Sequence, residues 1–325
     1  MPIQKPNMNN RISQSIQQAL QESKKPLILA HVRPDGDAVG SMVAMGLALT
    51  QLGKNPQMVS SDGLPKRYRF LAESKHIRTN IDPHYDLVIS LDCADTARLS
   101  SPEKVEHVHI NIDHHVTNER YADINLVLPE YASTTAILAD WMPSWGLVIT
   151  KDIADALLMG MITDTIGFRT NNVTPSFLRI AADLVEKGAD LAEMYHKGLT
   201  LHSPESSKVW GFALSRLELD GKLAWTSILI EDRKRANYHG TDDADLTNHL
   251  SSIEDIDISI LFNEQKDDKV KVSWRSSANY DVTRIAASFG GGGHPQASGA
   301  DLAGRLDDVK IQVIGETKKY LMGKK

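Results

Sequence analysis

The chain has 325 residues, which suits two domains better than one. It carries 36 basic and 42 acidic residues, and this net charge of -6 excludes a protein that coats long nucleic acid through a general positive field. No apolar run approaches the roughly 20 residues that span a bilayer, and residues 1–25 lack the apolar core of a signal peptide. The single cysteine, Cys93, excludes an internal disulfide framework, so we expect a cytoplasmic protein with no membrane partner.

The first half of the chain alternates predicted strands with predicted helices. A helix is expected at about residues 10–22, and a second one, buried on the sheet, at 38–52. The predicted strands are residues 27–31, 57–60, 87–91 and 108–112. Such alternation predicts an α/β fold with a parallel, doubly wound sheet, whose ligands bind beyond the carboxyl ends of the strands.

The predicted secondary structure changes twice in the second half of the chain. Residues 133–197 have a helical pattern, interrupted at 163–175, with Pro175 well placed as the first residue of a helix. Residues 217–230 predict two strands around an Asp220-Gly221 turn. Strands at 256–262 and 269–274, a helix at 281–289 and a glycine-rich run at 290–295 follow. We therefore predict a domain at 1–190, a linker at 191–216 and a smaller α/β domain at 217–325.

Side chains that bind metals or transfer protons follow four apolar segments, where we expect the chain to leave the sheet. They are His31, Asp35 and Asp37 after the first strand, Asp92 after the third, Asp113-His114-His115 after the fourth, and Asp164 at the end of the apolar stretch 159–164. Any one of these motifs alone would more often be a turn or a helix cap. Strand ends shielded from water rarely collect so many acids without an ion, however. Carboxylates and imidazoles in this number suit two divalent ions that share a bridging carboxylate, which predicts hydrolysis of phosphate esters or anhydrides.

These motifs resemble those of the DHH phosphoesterase superfamily. The run Gly290-Gly-Gly-Gly-His294-Pro295 is similar to the signature of the first-type DHH-associated C-terminal domain. Together the motifs cover nearly the whole chain. Within the superfamily, the layout is most similar to the nanoRNase and pAp phosphatase group, which trims very short RNA and removes the 3′-phosphate of 3′-phosphoadenosine 5′-phosphate (pAp).

The resemblance implies two bound ions, first of all Mn²⁺, with Mg²⁺, Co²⁺ and Fe²⁺ as alternatives, and attack by a hydroxide that they hold. The implied ligands are His31 and Asp35 for the first ion, Asp37, His114 and Asp164 for the second, and Asp92 between them. His115 would contact the scissile phosphate or protonate the leaving oxygen. Asp113 would orient an imidazole and fix its tautomer.

The resemblance also implies that the C-terminal domain binds substrate, with the active site in the cleft between the domains. Arg275 resembles a phosphate-binding arginine, whose planar fork suits two phosphate oxygens. Gly291, Gly292 and Gly293 would let the backbone approach an anion, and His294 would add a hydrogen bond or a positive charge. Gly290 as an ordinary helix cap and Arg275 as an ordinary strand-end residue are the alternatives.

The expected substrates are short oligoribonucleotides and phosphorylated nucleotides, and a homodimer is compatible with the sequence. A phosphodiesterase for cyclic dinucleotides or their linear products would share both domains. A non-catalytic nucleotide-binding protein with a decayed metal site is the alternative from another class. A RecJ-type exonuclease would need further domains, and a type II inorganic pyrophosphatase would have a C-terminal domain of another type.

Overall fold

The computed structural model describes residues 7–100, 105–277 and 279–323. The chain divides into two compact units, Met1–Leu201 and His202–Lys325. This division falls inside the predicted linker 191–216, whose bounds stay a prediction. Among the described helices, none combines the length and the apolar character that crossing a membrane requires.

The first unit contains one parallel sheet. Its helices are α1 (Asn7–Glu22), α2 (Gly36–Gln51), α3 (Thr134–Trp141), α4 (Lys151–Asp164), α5 (Pro175–Glu186) and α6 (Leu191–Tyr195). Its strands are β1 (Pro26–Leu29), β2 (Gln57–Val59), β3 (Ile77–Arg78), β4 (Leu87–Leu91), β5 (Ile110–Asp113) and β6 (Ile124–Val127). The sheet has the order β3-β2-β1-β4-β5-β6, and all its strand pairs are parallel. The predicted parallel α/β sheet is therefore confirmed.

The strand order explains where the site forms. Winding proceeds outward from β1 on one side and from β4 on the other, and ligands bind where the winding reverses. Every residue of β1, β4 and β5 is buried, in keeping with their short apolar runs. The larger apolar core lies between the sheet and α2, α3, α4 and α5.

Glycines allow α2 and α4 to pack closely. A Cβ atom added to Gly40 would lie 2.5 Å from the carbonyl oxygen of Ala156, and one added to Gly36 would lie 2.2 Å from Oγ1 of Thr163. Larger residues would separate the helices at both points, because a Cβ atom cannot approach so closely. This contact sets the position of the C-terminal end of α4 relative to the N-terminal end of α2.

Two sequence predictions shift or change in this unit. The first strand ends at Leu29 rather than at residue 31, and His31 makes only an isolated bridge with Leu99. The prediction that residues 159–164 leave the sheet is wrong, because they form the last turns of α4 and Asp164 is the last residue of that helix. A short buried apolar run does not distinguish a strand from a helix by its pattern alone.

The second unit is a mixed α/β domain. Its helices are α7 (Pro204–Leu214), α8 (Ile230–Ala236), α9 (Leu246–Leu250), α10 (Thr283–Ser288) and α11 (Leu306–Met322). Its strands are β7 (Glu218–Asp220), β8 (Leu223–Ile228), β9 (Ile258–Gln265), β10 (Lys269–Ser276), β11 (Gly292–His294) and β12 (Ala297–Ala303). They form one sheet in the order β11-β12-β10-β9-β8-β7, in which only the pair of β8 and β9 is parallel among the described strands.

The glycine-rich run forms part of this sheet. Gly290 ends the preceding helical segment with φ +73°, as expected for a glycine cap, and β11 begins two residues later. A Cβ atom at Gly291 would lie 2.1 Å from the carbonyl oxygen of Gly299, and one at Gly293 would lie 2.5 Å from that of Ala297. A Cβ atom at Gly292 would meet no described atom within 4 Å. Positive φ therefore accounts for Gly290 and close backbone packing for Gly291 and Gly293, whereas Gly292 has neither reason.

Candidate metal centre

The first unit brings the predicted metal ligands together at the carboxyl ends of β1, β4 and β5. Three overlapping groups have their ligand atoms within 4.8 Å of one another: His31, Asp35 and Asp92; Asp37, His114 and Asp164; and Asp92, Asp113, His114 and His115. The first two groups match the two ligand sets that the family resemblance implies. Their assignment to ions stays a prediction.

Asp92 lies between the two groups. Its Oδ2 atom is 3.7 Å from Nε2 of His31, and its Oδ1 atom is 3.6 Å from Nε2 of His114. The residue follows β4 in a left-handed backbone conformation with φ +54°, which aspartate tolerates better than most residues. Each oxygen of Asp92 therefore faces a histidine of a different group, as expected of a bridging carboxylate.

Asp35 is both a helix cap and a member of the first group. Its Oδ1 atom accepts hydrogen bonds from the backbone N–H groups of Asp37 and Ala38 at 3.0 and 3.1 Å, which caps α2. Its Oδ2 atom lies 3.7 Å from Nε2 of His31. The side chain is 57% exposed, so this group opens to solvent while Asp92 is buried.

Asp37 is held by the N-terminus of α3. Its Oδ2 atom accepts the N–H of Thr134 at 2.6 Å, and its Oδ1 atom accepts both the N–H and the hydroxyl of Thr135 at 2.9 and 2.5 Å. The hydroxyl of Thr134 donates to Oδ1 of Asp92 at 3.0 Å. Two consecutive threonines thus contact a carboxylate of each group.

Asp113 is fully buried behind the histidines. Its Oδ1 atom accepts the N–H of His114 at 2.9 Å and lies 2.7 Å from Nδ1 of His115, while its Oδ2 atom accepts Nδ2 of Asn118 at 2.6 Å. A carboxylate in this position accepts a hydrogen bond from the Nδ1–H group of the ring, which fixes the orientation of the ring and turns Nε2 away from Asp113. The predicted orienting role of Asp113 agrees with these contacts.

Three carboxyl groups of the site, those of Asp37, Asp92 and Asp164, resist ionisation, whereas the contacts with His31 and His115 lower the pKa of Asp35 and of Asp113. Burial and, after it, the charge of Asp92 together raise the pKa of Asp37 to about 7. Burial and the charge of Asp35 raise the pKa of Asp92 to about 6. Burial, followed by the charge of Asp37, holds the pKa of Asp164 well above its usual range. Without a cation, the site therefore keeps protons on groups that are ionised in water at neutral pH.

Two of the three histidines of the site, His31 and His115, favour their charged form because their pKa is raised. Burial opposes their charged form, but the contact with Asp35 raises the pKa of His31 to about 9, and the contact with Asp113 does the same for His115. Burial lowers the pKa of His114. Imidazolium rings thus offset part of the negative charge, and no described lysine or arginine forms an ion pair with these carboxylates.

The donors present fit divalent cations. The separations of 3.6 to 3.7 Å between imidazole nitrogens and carboxylate oxygens are too long for hydrogen bonds. They are close to the roughly 3.0 to 3.4 Å that separates neighbouring ligand atoms around an ion with bonds of about 2.1 Å. Mixed carboxylate and imidazole ligands without thiolates favour Mn²⁺, Mg²⁺ or Fe²⁺ over structural zinc.

The predicted substrate-binding residues lie together in the second unit. Arg275 of β10 and His294 of β11 are both paired with Ala297 of β12, on opposite sides of it. Directly paired residues of antiparallel strands share a face, so both side chains flank the small Ala297 on one face of the sheet. With strands about 4.8 Å apart, their Cα atoms are separated by about 10 Å. Gly292 lies two residues before His294 on the same strand.

Sequence reasoning missed Thr134, Thr135 and Asn118. Ser133-Thr134-Thr135 had a detectable signal, since serine and threonine favour helix N-termini and Ser133 does cap α3 through its hydroxyl. That signal predicts a helix start and says nothing of a partner 97 residues earlier in the chain. Asn118 follows the histidine pair by three residues and had no signal of its own.

Family models match segments of both units of the chain. The model of the DHH family, N-terminal domain, matches residues 25–161, and that of the DHHA1 domain matches residues 221–318. A bifunctional oligoribonuclease and PAP phosphatase, NrnA, from Thermus thermophilus is 34% identical over 311 residues, covering 94% of this chain and 93% of the relative.

Solved structures share the fold. An exopolyphosphatase-related protein from Bacteroides fragilis has a TM-score of 0.87 and 25% identity, covering 97% of this chain and 98% of that one. RecJ from Thermus thermophilus, in complex with Mn²⁺, has a TM-score of 0.52 and 14% identity, covering 98% of this chain and 55% of that one. With both domain models matched in order and a full-length relative at 34% identity, the chain belongs to the DHH family and carries a DHHA1 domain after the DHH domain.

Proposed function

We propose that this DHH-family phosphoester hydrolase acts on short oligoribonucleotides and on pAp. The observation that carries the proposal is the meeting of two carboxylate and imidazole groups at Asp92, with one group facing each of its oxygens. The Thermus thermophilus relative, matched over almost its whole length, is named for both activities. The net charge of -6 fits short substrates better than long nucleic acid.

Two divalent ions would occupy the two groups. His31 and Asp35 would hold one ion, Asp37, His114 and Asp164 the other, and Asp92 would bridge them. RecJ from Thermus thermophilus was solved in complex with Mn²⁺, so Mn²⁺ is the first ion to test, with Mg²⁺, Co²⁺ and Fe²⁺ after it. The chemistry supplied by such a pair is activation of a water molecule and neutralisation of charge on the phosphoryl group.

His115 would act on the substrate rather than on an ion. Because Asp113 takes the Nδ1 side of the ring at 2.7 Å, Nε2 is the atom that we assign to a phosphoryl oxygen or to the leaving oxygen. Asn118 and the N–H of His114 hold both oxygens of Asp113, so the ring has little freedom to turn. Asp113 therefore orients the ring and does not itself need to exchange a proton.

The second unit would hold a further phosphate of the substrate. Arg275 and His294 would supply the donors, since they lie on two strands that flank β12 and are both paired with its small residue Ala297. Gly292 has no packing role and would keep the backbone accessible to an anion, whereas Gly291 and Gly293 serve strand pairing as well. A cytoplasmic location fits the single, buried cysteine.

A substrate panel tests the proposal. The purified protein is incubated in Mn²⁺ with pAp, a linear diribonucleotide and a cyclic dinucleotide, and product is quantified by chromatography. We expect turnover of pAp and the linear dinucleotide, and we expect Asp92→Asn to lower both by more than about 100-fold. Asp95→Asn is the matched control, since Asp95 caps a short 3₁₀ helix through Arg98 and asparagine keeps that cap.

Each alternative has its own outcome in this panel. Preference for the cyclic dinucleotide would replace the proposed activity by that of a cyclic dinucleotide phosphodiesterase. Tight nucleotide binding without product would favour the non-catalytic protein. Turnover that survives in Asp92→Asn would refute the mechanism, because that variant removes the charge shared by both groups.

A further inference from the structure

The N-terminus of α3 touches both groups of the candidate metal centre. Thr134 donates its N–H to Asp37 at 2.6 Å and its hydroxyl to Asp92 at 3.0 Å. Thr135 donates its N–H and its hydroxyl to Asp37 at 2.9 and 2.5 Å. All four side chains are at most 2% exposed, so water does not compete for these contacts.

These contacts leave defined positions for other partners. An ionised carboxylate oxygen has about two acceptor sites. Oδ1 of Asp37 accepts two donors from Thr135 and is satisfied, whereas Oδ2 accepts one from Thr134 and keeps one site. Oδ1 of Asp92 likewise accepts one hydroxyl and keeps one site toward His114. The threonines therefore select which lone pairs of the two carboxylates point into the centre.

The helix that carries Asp164 is packed against the same contact. A Cβ atom at Gly160 of α4 would lie 2.4 Å from Cγ2 of Thr135 and 3.0 Å from Oδ1 of Asp37. Gly160 precedes Asp164 by one helical turn. The methyl group of Thr135 thus lies against Gly160 of α4, while its hydroxyl fixes the rotamer of Asp37.

We propose that Thr134 and Thr135 are positioning residues that set the spacing between Asp37 and Asp92, and with it the ability of the site to hold two ions at once. Thr134 is the only described side chain that hydrogen-bonds to Asp92, and through its backbone it also holds Asp37. Neither threonine needs to touch substrate. This inference rests on the proposed metal site but not on the identity of the substrate.

Removal of single hydroxyl groups tests the inference. Thr134→Val and Thr135→Val keep the shape and every backbone N–H of α3, and Thr134→Ser and Thr135→Ser restore the hydroxyl. Thr226→Val is the matched control: Thr226 is equally buried in the second unit and donates its hydroxyl to the carbonyl oxygen of Ala213. Binding of Mn²⁺ is measured by isothermal titration without substrate, and the thermal midpoint of each variant is recorded beside it.

Both valine variants should weaken Mn²⁺ binding by about 10- to 100-fold, the usual effect of losing a group that orients a ligand. The serine variants should bind within about threefold of the parent protein, and Thr226→Val should bind as the parent does. Electron paramagnetic resonance at saturating Mn²⁺ should show that Thr134→Val alters the magnetic coupling between the two ions, which a change in stability alone would not do.

Parent-like isotherms for both valine variants would overturn the inference, and so would serine variants as weak as the valine ones. If Thr134→Val does not fold, Thr135→Val alone decides, because it leaves the contact with Asp92 intact. Absence of Mn²⁺ binding in the parent protein would refute the proposed metal site as well. If the parent protein binds Mn²⁺ and both valine variants bind it equally well, only the positioning role is refuted.

Discussion

Replacement of Asp164 by asparagine should make the ion-free protein more stable, although it removes a residue of the site. The side chain keeps its shape but loses its charge. In the ion-free protein, that charge lies near Asp37 in a largely buried cluster, and burial and this neighbour hold the pKa of Asp164 well above its usual range. Removal of the charge relieves this repulsion.

The size of the expected stabilisation follows from the distance between the carboxylates of Asp37 and Asp164. The ligand atoms of Asp37 and Asp164 lie within 4.8 Å of each other. Two unit charges 4.8 Å apart repel by about 3.5 kcal/mol at an effective dielectric constant of about 20, and the gain is smaller than the full repulsion because the pair can bind a proton instead. We expect the free energy of unfolding to rise by about 1 to 3 kcal/mol at pH 8.

The pH dependence has a definite sign. A carboxyl group whose pKa is raised by folding destabilises the folded state above its unfolded pKa, and the penalty grows until the pH passes the folded pKa. At pH 5, about 1.2 units above the ordinary value of 3.8, the penalty of Asp164 cannot exceed about 1.6 kcal/mol. The stabilisation by Asp164→Asn should therefore be larger at pH 8 than at pH 5.

Urea unfolding followed by circular dichroism, in EDTA and in MnCl₂, measures the effect. With Mn²⁺ the advantage of the variant should shrink, because an ion at 100 times its dissociation constant stabilises the parent by about 2.7 kcal/mol and the variant by less. Asp155→Asn is the control on the same helix: Asp155 pairs with Lys151 at 2.5 Å and accepts the N–H of Asp190 at 2.8 Å. The Asp155→Asn substitution should lower the free energy of unfolding by the same amount with and without Mn²⁺. An Asp164→Asn protein less stable than the parent in EDTA at pH 8 would refute the reasoning.

Three further predictions concern other residues of the metal centre and of the glycine-rich run. His114→Ala should lower Mn²⁺ affinity by at least about tenfold, whereas His115→Ala should keep both ions and lose about 10² to 10⁴ in turnover, as measured by titration and by steady-state kinetics. Gly291→Ala should lower the thermal midpoint because its Cβ would strike a carbonyl oxygen, whereas Gly292→Ala should fold normally and raise KM for pAp. Mn²⁺ affinity of the parent, measured by titration, should rise between pH 5.5 and 8, because Asp37, with a pKa of about 7, must release its proton to bind an ion.

Much of the site was predictable because parallel strands deliver their last residues to one edge. His31, Asp92 and Asp113 follow or end β1, β4 and β5, which are neighbours in the sheet. The alternation of elements predicts that sheet, and the sheet order then brings these residues together. Asp164 was expected where an apolar segment leaves the sheet but ends helix α4 instead, since its apolar run fits a helix and a strand equally well.

The remaining contacts depend on packing that no local pattern encodes. Thr134 meets Asp37 because α3 begins beside the N-terminus of α2, and Gly160 permits α4 to close on both. Asn118 reaches the backbone oxygen of Cys93 and the carboxylate of Asp113, which joins the loops after β4 and β5. Each contact links residues that are far apart in the chain or that lie in separate loops, so their types alone could not reveal them.

The capping and ligand interpretations of the site aspartates are not exclusive, because each carboxylate has two oxygens. Asp35 gives Oδ1 to two N–H groups of α2 and turns Oδ2 toward His31. Asp37 gives Oδ1 entirely to Thr135 and keeps a lone pair on Oδ2. Backbone and hydroxyl donors thus fix the orientation of carboxylates that would otherwise rotate freely, and an ion would meet oxygens already in place. A motif that reads as a helix cap in such a sequence is therefore no argument against metal binding, since the cap is what orients the ligand.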